Sequence, residues 1–401
     1  MAMTFRRVLK IVAAVPLFAF AALVALLAIL WVDHFRQTTL PKPTGSFAVG
    51  RTQYVWTDSA HTNSLAAPGV ERKLIAWIWY PAAPASNQMS DDYLPAPWRI
   101  ALARQTGFVL TQFLNRDPSR VRTHSVHDAE LSPRRSSYPV ALMRGGHSAL
   151  TANYTTLAEG LASQGYVVVG IDAPYRTFVV VLPDGRMIAR LPENNAELGN
   201  KAQRVQVGVK LVQAWSADMS FAVDQMERLN AADPSGRFRG KLNLQRIGAY
   251  GHSLGGAEAL QFCHDDPRCK AGVDVDGAPL GSVVAEGVTQ PFLFLVSDHS
   301  DEPAAETSPI EAELHSIFNR LPRDRRLQVT IRRATHFGFQ DDVRSPIVMS
   351  VLRMRGQRLN GKRQLAIATH YITAFFDVYL RGEPASRLDL QHEFPEGELL
   401  R

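Results

Sequence analysis

Short apolar runs alternate with helical patterns through most of the chain, and this alternation limits the possible fold more than any other feature of the sequence. Strands of a parallel sheet are covered by helices on both faces, so they consist of almost continuous apolar residues. The sequence therefore predicts an α/β domain with a mostly parallel central sheet and helices on both faces. The predicted strands are Leu74–Tyr80, Pro139–Met143, Tyr166–Ile171, Arg246–Tyr250, Ala271–Val275, Phe292–Val296 and Leu327–Ile331.

Helical periodicity lies between several of these strands and after the last one. Two further segments are distinct. Residues 178–191 contain two apolar runs around a Pro-Asp-Gly turn, which predicts a hairpin or flap. Residues 81–135 are rich in turn residues and predict a long excursion with one amphipathic helix, Arg99–Leu114. The other predicted helices are Tyr154–Ser163, Ser216–Leu229, Leu254–Cys263, Glu311–Leu321 and His370–Leu380.

An uncharged run of 22 residues, Ile11–Val32, lies near the N-terminus. As a helix it would be about 33 Å long, which is enough to cross a bilayer. Arg6, Arg7 and Lys10 precede the run, so the positive-inside rule predicts a cytoplasmic N-terminus and an exported remainder. The alternative is a cleaved signal peptide, although the small-x-small site Ala19-Phe20-Ala21 lies in the middle of the run.

These features predict four segments. Residues 1–36 form a cytoplasmic tip and a transmembrane signal-anchor helix, and residues 37–50 form a spacer containing Pro41, Pro43 and Gly45. Residues 51–385 form the catalytic domain, and residues 386–401 form a polar tail. The sequence predicts no oligomeric state.

Composition excludes several classes of protein. With 46% apolar residues the chain has enough material for a full core, and 44 basic against 38 acidic residues is too small an excess to require nucleic acid. Two cysteines, Cys263 and Cys269, provide neither a disulfide framework nor a four-cysteine zinc site. One disulfide and two buried thiols both remain open. No metal and no cofactor is predicted.

The segment Gly251-His-Ser253-Leu-Gly255 lies between a predicted strand and a predicted helix. This context is typical of a nucleophile elbow, in which a serine occupies a tight turn and two glycines leave room for neighbouring backbone. The helix that follows directs its free amides at the same place. Ser253 is therefore the predicted nucleophile.

A serine hydroxyl needs a base, and six histidines follow Ser253 in the chain. His336 is the best placed because it lies in the loop after the last predicted strand. His299 also follows a strand but is crowded by acidic residues. The other four lie in helical patterns, at a helix end or in the tail: His264, His315, His370 and His392.

The acid that would orient the base is ambiguous from position alone. Asp276 ends one predicted strand and Asp298 follows the next, so either can reach the loop that carries His336. Asp274 lies one step deeper on the same face as Asp276, which predicts a buried hydrogen-bonding role.

From about Gly45 to Gly382 the chain resembles the alpha/beta-hydrolase superfamily and, within it, the platelet-activating factor acetylhydrolase family. The resemblance is carried by Ile78–Pro81, Leu161–Val169, Gly251–Ala257 and Val273–Gly277. It implies an alpha/beta-hydrolase fold and a Ser/Asp/His esterase, without a metal, that removes short or oxidised acyl groups from phospholipids or related esters. It also favours Asp276 over Asp298, because the family's acid lies 23 residues after the serine, as Asp276 does after Ser253.

The resemblance further implies an oxyanion hole formed by the backbone amides of His147 and Leu254. The sequence departs from the family here, because Arg144-Gly145-Gly146 stands where the family usually has Ser-His-Gly. The shape of this loop and the acyl-group preference are therefore open.

The predicted function is carboxylester hydrolysis through an acyl-enzyme, on a small-molecule or lipid ester, with Ser253, His336 and Asp276 as the triad. The alternatives are acyl transfer, hydrolysis of another acyl bond by the same triad, or a non-catalytic membrane-anchored binding domain. An arginine-rich segment at 320–333 predicts either a solvated face or a contact with anionic lipid headgroups.

Overall fold

The computed structural model describes residues 2–84, 90–341 and 358–401, and it describes side chains from Val15 onward. The predicted catalytic domain, 51–385, includes residues 85–89 and 342–357, which lie outside the described residues; residue 1 of the predicted anchor segment does so as well. All five residues at 85–89 also belong to the predicted excursion at 81–135.

Twelve strands within the described residues form one sheet, and two more form a separate hairpin. The strands are β1 Thr38–Thr39, β2 Ala48–Thr62, β3 Glu71–Ala82, β4 Ser90–Asp92, β5 Val121–His127, β6 Tyr138–Arg144, β7 Val167–Asp172, β8 Val179–Val181, β9 Met187–Ala189, β10 Leu242–His252, β11 Cys269–Val275, β12 Phe292–Val296, β13 Arg326–Ile331 and β14 Gly397–Leu400.

The large sheet has the order β1-β5-β2-β3-β7-β6-β10-β11-β12-β13-β14, with β4 paired to β5. Its central strands, from β7 to β13, are all parallel, whereas β3 runs antiparallel to both β2 and β7, and β14 runs antiparallel to β13. The prediction of a mostly parallel central sheet in an α/β domain is confirmed.

Helices cover both faces of this sheet, as predicted. The helices are α1 Ala2–His34, α2 Ala96–Thr106, α3 Thr155–Ser163, α4 Lys201–Ala232, α5 Leu254–Asp265, α6 Val283–Glu286, α7 Ala304–Arg320 and α8 Gly361–Arg381. Helices α2, α3 and α8 pack on one face. Helices α4, α5, α6 and α7 pack on the other.

Strand β3 shows why the two layers form. Ile75, Trp77 and Trp79 belong to the apolar cluster of one face, and the alternate residues belong to the cluster of the other: Leu74, Ala76, Ile78 and Tyr80. Successive side chains of a strand point to opposite faces, so an uninterrupted apolar run supplies two cores at once.

Several predicted elements differ in extent from the structure. The single helix predicted at Arg99–Leu114 is wrong: α2 ends at Thr106, and a separate π-helical turn spans Leu110–Leu114. Gly107 separates them with a φ of 83°, outside the helical region. The last helix is longer than predicted, because Asn360 caps its start and Gly382, in the left-handed conformation, ends it.

Three other segments contribute more to the sheet than predicted. The excursion at 81–135 supplies β4 and β5. The segment expected to be a spacer supplies β1 and the start of β2, and the segment expected to be a polar tail supplies β14. The hairpin predicted at 178–191 is confirmed as the β8–β9 pair, with its turn at Pro183–Gly185.

Helix α1 contains the one stretch in the described residues that is long and apolar enough to cross a membrane. This stretch is Val15–His34, with a mean hydropathy of 2.7. Its side chains are mostly exposed, and its C-terminal end contacts the domain. His34 Nδ1 lies 2.8 Å from the carbonyl oxygen of Asn115, and Asp33 forms an ion pair of 3.6 Å with Arg116.

Cys263 and Cys269 are joined by a disulfide, which decides between the two states left open by the sequence. The bond connects the C-terminal end of α5 to the first residue of β11.

We expect Gly272→Ala to destabilise the fold by about 1–3 kcal/mol, because a Cβ atom at this position of β11 would lie 2.1 Å from the ring of the buried Phe292. Gly361→Ala is the matched control. Its Cβ would meet nothing within 4 Å at the first residue of α8, so we expect unchanged or slightly raised stability. Denaturant unfolding of both variants measures the difference, and equal effects would contradict the packing argument.

Candidate active site

Ser253 lies in a tight turn between β10 and α5, with φ 58° and ψ −127°. The two glycines around it are required by close backbone contacts. A Cβ at Gly251 would lie 2.0 Å from the carbonyl oxygen of Gly255, and a Cβ at Gly255 would lie 2.5 Å from the carbonyl oxygens of Arg144 and Gly145. The turn therefore holds Ser253 in an unfavourable backbone conformation through its surroundings.

The sheet register brings four loops to one edge. Gly251 of β10 is paired with Asp274 of β11, and Val275 of β11 is paired with Leu295 of β12. Because these strands are parallel and in step, the residues that follow β10, β11, β12 and β13 emerge beside one another. This edge collects the side chains selected from the sequence.

Three of those side chains form a hydrogen-bonded series. The Oγ of Ser253 lies 2.9 Å from His336 Nε2, and His336 Nδ1 lies 2.7 Å from Asp276 Oδ2. His336 is partly exposed, whereas the side chain of Asp276 is buried. The residues come from the turn after β10, the end of β11 and the loop after β13.

The carboxylate of Asp276 has two further neighbours. Ser297 donates its backbone N–H to Oδ1 at 2.7 Å and its hydroxyl to Oδ2 at 2.7 Å, and His299 Nε2 lies 3.0 Å from Oδ1. Burial alone would raise the pKa of Asp276, but the hydrogen bonds and charges of His299 and His336 hold it well below its usual range. Asp276 is therefore an anion throughout the neutral range.

Asp298, the alternative acid, has other partners. Its carboxylate accepts the backbone N–H of Arg333 at 2.6 Å and that of Ser300 at 3.1 Å. It shapes the loops after β12 and β13, and no hydrogen bond joins it to His336 within the described part of the chain.

His299 is the site residue that the sequence interpretation missed. Its hydrogen bond with Asp276 and the negative charges of Asp276 and Glu302 raise its pKa to about 9, against an opposing effect of burial. The signal was present in the sequence: His299 follows β12 just as Asp298 does, at the edge where β11 ends. The acidic neighbours that set it aside are its partners.

A second missed feature is a series of hydrogen bonds beneath His336, formed through His252, Tyr154 and Gly146 and called the relay below. Burial, and then the nearby charge of His336, lower the pKa of His252 to about 3, so its imidazole is neutral. Its Nε2 donates to the carbonyl oxygen of His336 at 2.8 Å, and its Nδ1 accepts from the Tyr154 hydroxyl at 2.8 Å. That hydroxyl in turn accepts the N–H of Gly146 at 2.8 Å. The relay thus joins the loop after β6 to the loop that carries His336.

The relay also bears on the two predicted oxyanion amides. It occupies the N–H of Gly146, whereas His147 N–H forms no backbone hydrogen bond among the described residues. Leu254 is the first residue of α5, where an N–H has no acceptor within its helix. The loop is held from outside by Arg190, which donates to the carbonyl oxygen of His147 at 3.0 Å.

The side chain of His147 is engaged elsewhere. Its Nε2 accepts the N–H of Ala196 at 3.1 Å and lies 3.0 Å from Asn195 Oδ1. The side chain of His147 thus joins the loop after β6 to residues 195–196.

Arg144, which replaces the family's serine, points into the core. Its Nε donates to Glu258 of α5 at 2.8 Å, it also donates to the carbonyl oxygen of Ile171, and its guanidinium lies 3.4 Å from the centre of the Trp215 ring. The ion pair of Arg144 with Glu258 joins β6, which precedes the His147 loop, to α5, which begins at Leu254. It therefore links the two halves of the predicted oxyanion hole.

A cavity of about 370 Å³ opens beside Ser253 and His336. Apolar side chains form much of its wall, and three glutamates lie on one side. The apolar residues are Leu254, Ala278, Leu280, Phe294, Val296, Ile310 and Leu314, and the glutamates are Glu302, Glu306 and Glu311.

Asp274 lines the same cavity and is buried, as predicted. Its Oδ1 accepts the N–H of Gly277 at 2.8 Å, while its Oδ2 has no hydrogen-bond partner among the residues that the structure describes. Burial, with a contribution from the charge of Asp276, raises the pKa of Asp274 to about 8. The wall beside Ser253 therefore contains a carboxyl group that is protonated at neutral pH.

The arginine-rich segment at 320–333 is largely bound to the protein itself. Arg320 donates to the carbonyl oxygens of Val284 and Ala285, both at 2.6 Å, and Arg332 donates to that of Pro395 at 2.6 Å. These contacts tie Arg320 and Arg332 to neighbouring backbone while both side chains stay exposed, and both interpretations, a solvated face and a headgroup contact, stay predictions.

Comparison with known proteins gives the family. The sequence model described as "Platelet-activating factor acetylhydrolase, isoform II" matches residues 32–176 and 192–396. The chain belongs to this family. Family membership and the architecture together make it a carboxylic ester hydrolase of the alpha/beta-hydrolase fold.

The curated relatives agree with this assignment. A platelet-activating factor acetylhydrolase from Canis lupus familiaris is 24% identical over 344 residues, which cover 78% of this chain and 71% of the relative. A probable 1-alkyl-2-acetylglycerophosphocholine esterase from Arthroderma benhamiae is 26% identical over 162 residues, which cover 39% of this chain and 36% of the relative.

A solved structure shares the fold. A ferulic acid esterase from Streptomyces cinnamoneus superimposes with a TM-score of 0.72 at 24% sequence identity, covering 91% of this chain and 99% of the esterase. The resemblance proposed from the sequence is confirmed at the level of family and fold.

We expect Asp274→Asn to become more stabilising, relative to the unchanged protein, as pH rises from about 4 to about 8. Burial raises the pKa of Asp274 to about 8, whereas an unfolded aspartate titrates near about 3.9. Between these values the folded chain keeps a proton that the unfolded chain releases, so its free energy of unfolding falls with pH, and this loss is complete above about 8. Asparagine removes the titration.

Thermal unfolding at pH 5 and pH 8 measures this change. Asp298→Asn is the control, because hydrogen bonds from Ser300 and Arg333 lower the pKa of Asp298 despite partial burial. Its offset from the unchanged protein should be constant between pH 5 and pH 8. A constant offset for Asp274→Asn as well would show that Asp274 is ionised in the folded state.

Proposed function

We propose that the protein hydrolyses carboxylic esters with short or oxidised acyl groups through an acyl-enzyme, with Ser253 as nucleophile, His336 as base and Asp276 as the acid that orients the base. One observation carries the proposal: His336 lies within hydrogen-bond distance of both Ser253 Oγ, at 2.9 Å, and Asp276 Oδ2, at 2.7 Å.

The proton positions suit this chemistry. Asp276 is an anion and can only accept, so the neutral imidazole of His336 carries its proton on Nδ1 and offers the lone pair of Nε2 to the serine. As Ser253 Oγ attacks the ester carbonyl, His336 takes the hydroxyl proton, and it then gives this proton to the departing alcohol. Water repeats the sequence on the acyl-enzyme and releases the acid.

The oxyanion is assigned to the amides of His147 and Leu254. Leu254 follows the nucleophile directly in sequence, and His147 lies in the loop after β6. Both N–H groups lack a backbone acceptor among the described residues. The start of α5 adds the positive end of its helix dipole. The contact between Gly255 and the backbone of Arg144 and Gly145 supports a fixed distance between the two donors.

Two facts support a small acyl group and an ester of lipid origin. The cavity beside Ser253 is mainly apolar and measures about 370 Å³. The relatives' names specify an acetyl group on a platelet-activating factor or on a 1-alkyl-2-acetylglycerophosphocholine. We therefore assign phospholipid or related esters with short acyl chains as the substrate class.

We further propose that α1 anchors the protein in a membrane as a single span, with the catalytic domain on the extracytoplasmic side. The apolar stretch Val15–His34 and the basic residues before it support this orientation. The disulfide between Cys263 and Cys269 suits an oxidising compartment.

Replacing Ser253 with Ala should reduce kcat for p-nitrophenyl acetate by about 10⁶, because the nucleophile is lost. A fluorophosphonate probe should label the unchanged protein at Ser253 and leave the variant unlabelled, as seen by mass spectrometry of the peptides. Label on another serine would contradict the assignment.

The matched pair Asp276→Asn and Asp298→Asn tests the acid. We expect a loss of about 10⁴ in kcat for Asp276→Asn, since asparagine favours the wrong tautomer of His336, and less than tenfold for Asp298→Asn. The reverse ranking would show that the acid is Asp298.

Cell fractionation tests the anchor. The full chain should remain with membranes after a high-salt wash, and N-terminal sequencing should find residues before Val32 in the mature protein. A mature chain that begins after Ala21 or later, recovered in the soluble fraction, would identify the segment as a cleaved signal peptide.

A further inference from the structure

The triad acid of the proposed mechanism is contacted by two imidazoles rather than one. His336 approaches Asp276 Oδ2 at 2.7 Å, and His299 approaches Oδ1 at 3.0 Å from the other side. The second imidazole also has an acidic partner of its own, because His299 Nδ1 lies 2.9 Å from Glu302 Oε1. The five side chains form a series: Glu302, His299, Asp276, His336 and Ser253.

The charges around His299 favour its cationic form. Asp276 is buried and anionic, Glu302 is about half exposed, and the hydroxyl of Ser297 lies 3.3 Å from His299 Nε2. Other titratable or charged groups face the same region from β11, from α7, from the loop after β12 and from the loop after β13. Asp274, Glu306, Glu311 and His336 line the same cavity as His299, while Asp298 and Asp301, the latter paired with Arg358, lie beside His299 in the loop after β12.

We propose that His299 is a positioning residue of the active site: as an imidazolium held between Asp276 and Glu302, it takes up part of the negative charge of Asp276 and thereby keeps His336 unprotonated, and able to act as a base, at lower pH. The inference rests on the proposed function, because it takes Asp276 as the triad acid and His336 as the base.

The physical argument is a competition for one carboxylate. An anion beside an imidazole stabilises the protonated ring, and this would disable His336 as a base. A second cation on the same carboxylate offsets that stabilisation, while the hydrogen bond from His336 Nδ1 still orients the ring. Burial strengthens the competition, because screening by water is weak around Asp276.

The pKa of His299, about 9, agrees with this role. Hydrogen bonding to Asp276 is its first cause, and the charge of Glu302 adds to it. His299 therefore keeps its charge throughout the range in which His336 has to exchange a proton.

The test is the pH dependence of kcat/KM for p-nitrophenyl acetate, measured on the full chain in detergent between pH 5 and pH 9. His299→Gln keeps a donor toward Asp276 and removes the charge, so we expect the acid limb to move to higher pH by about half to one unit. Glu302→Gln leaves the imidazolium of His299 in place and removes the negative charge that offsets it, so we expect a smaller shift of the opposite sign.

Two controls use exposed residues of α7 that do not line the cavity. His315→Gln and Glu313→Gln make the same chemical changes there, and their profiles should match that of the unchanged protein. If His299→Gln lowers kcat/KM equally at all pH values, or moves the limb to lower pH, the proposal is wrong. Should His299→Gln not fold, an unshifted limb in Glu302→Gln overturns the proposal by itself.

The Ser253→Ala variant separates this inference from the proposed function. If Ser253→Ala is inactive and the limb of both test variants is unshifted, only the role of His299 fails. If Ser253→Ala keeps full activity, the proposed function fails and the inference fails with it.

Discussion

A buried carboxylate is stable only where hydrogen-bond donors or positive charges surround it, and Asp276 satisfies this condition through donors from two loops. His336 comes from the loop after β13, while Ser297 and His299 come from the loop after β12, and Asp276 itself ends β11. The requirement to compensate one charge therefore ties together the ends of three neighbouring strands. The orientation of His336 toward Ser253 follows from that arrangement.

A steric constraint governs the other half of the site. The start of α5 passes so close to the end of β6 and the loop after it that a side chain is excluded at Gly255, and the backbone of Gly255 in turn excludes one at Gly251. The buried pair of Arg144 and Glu258 joins the same two elements a few residues further into the core. Backbone contact and ion pair together hold the amides of Leu254 and His147 in one position relative to each other.

The sequence predicted those parts of the fold and site that depend on local pattern. Apolar runs located the central strands, and the positions of Ser253, Asp276 and His336 after such strands selected three side chains that lie in contact; their catalytic roles stay predictions. The long helix α4 was predicted only over Ser216–Leu229: its first six residues, Lys201–Gln206, are exposed, and the buried residues between them and Ser216 were missed.

Features that depend on partners far apart in the sequence were not predicted. The contact of Arg144 with Glu258 joins residues 114 positions apart, and β14 belongs to a polar segment whose pairing is set by the free edge of β13. His299 was set aside because of its acidic neighbours. Those neighbours indicate a role only once the buried charge of Asp276 is known to lie beside His299.

The disulfide between Cys263 and Cys269 has a geometric consequence for the site at the opposite end of the same two elements. Helix α5 begins just after Ser253 and strand β11 ends just before Asp276, and the covalent bond joins their far ends. The disulfide prevents the helix from sliding along the strand. Ser253 and Asp276, at the opposite ends of the helix and the strand, therefore keep a common depth at the edge of the sheet.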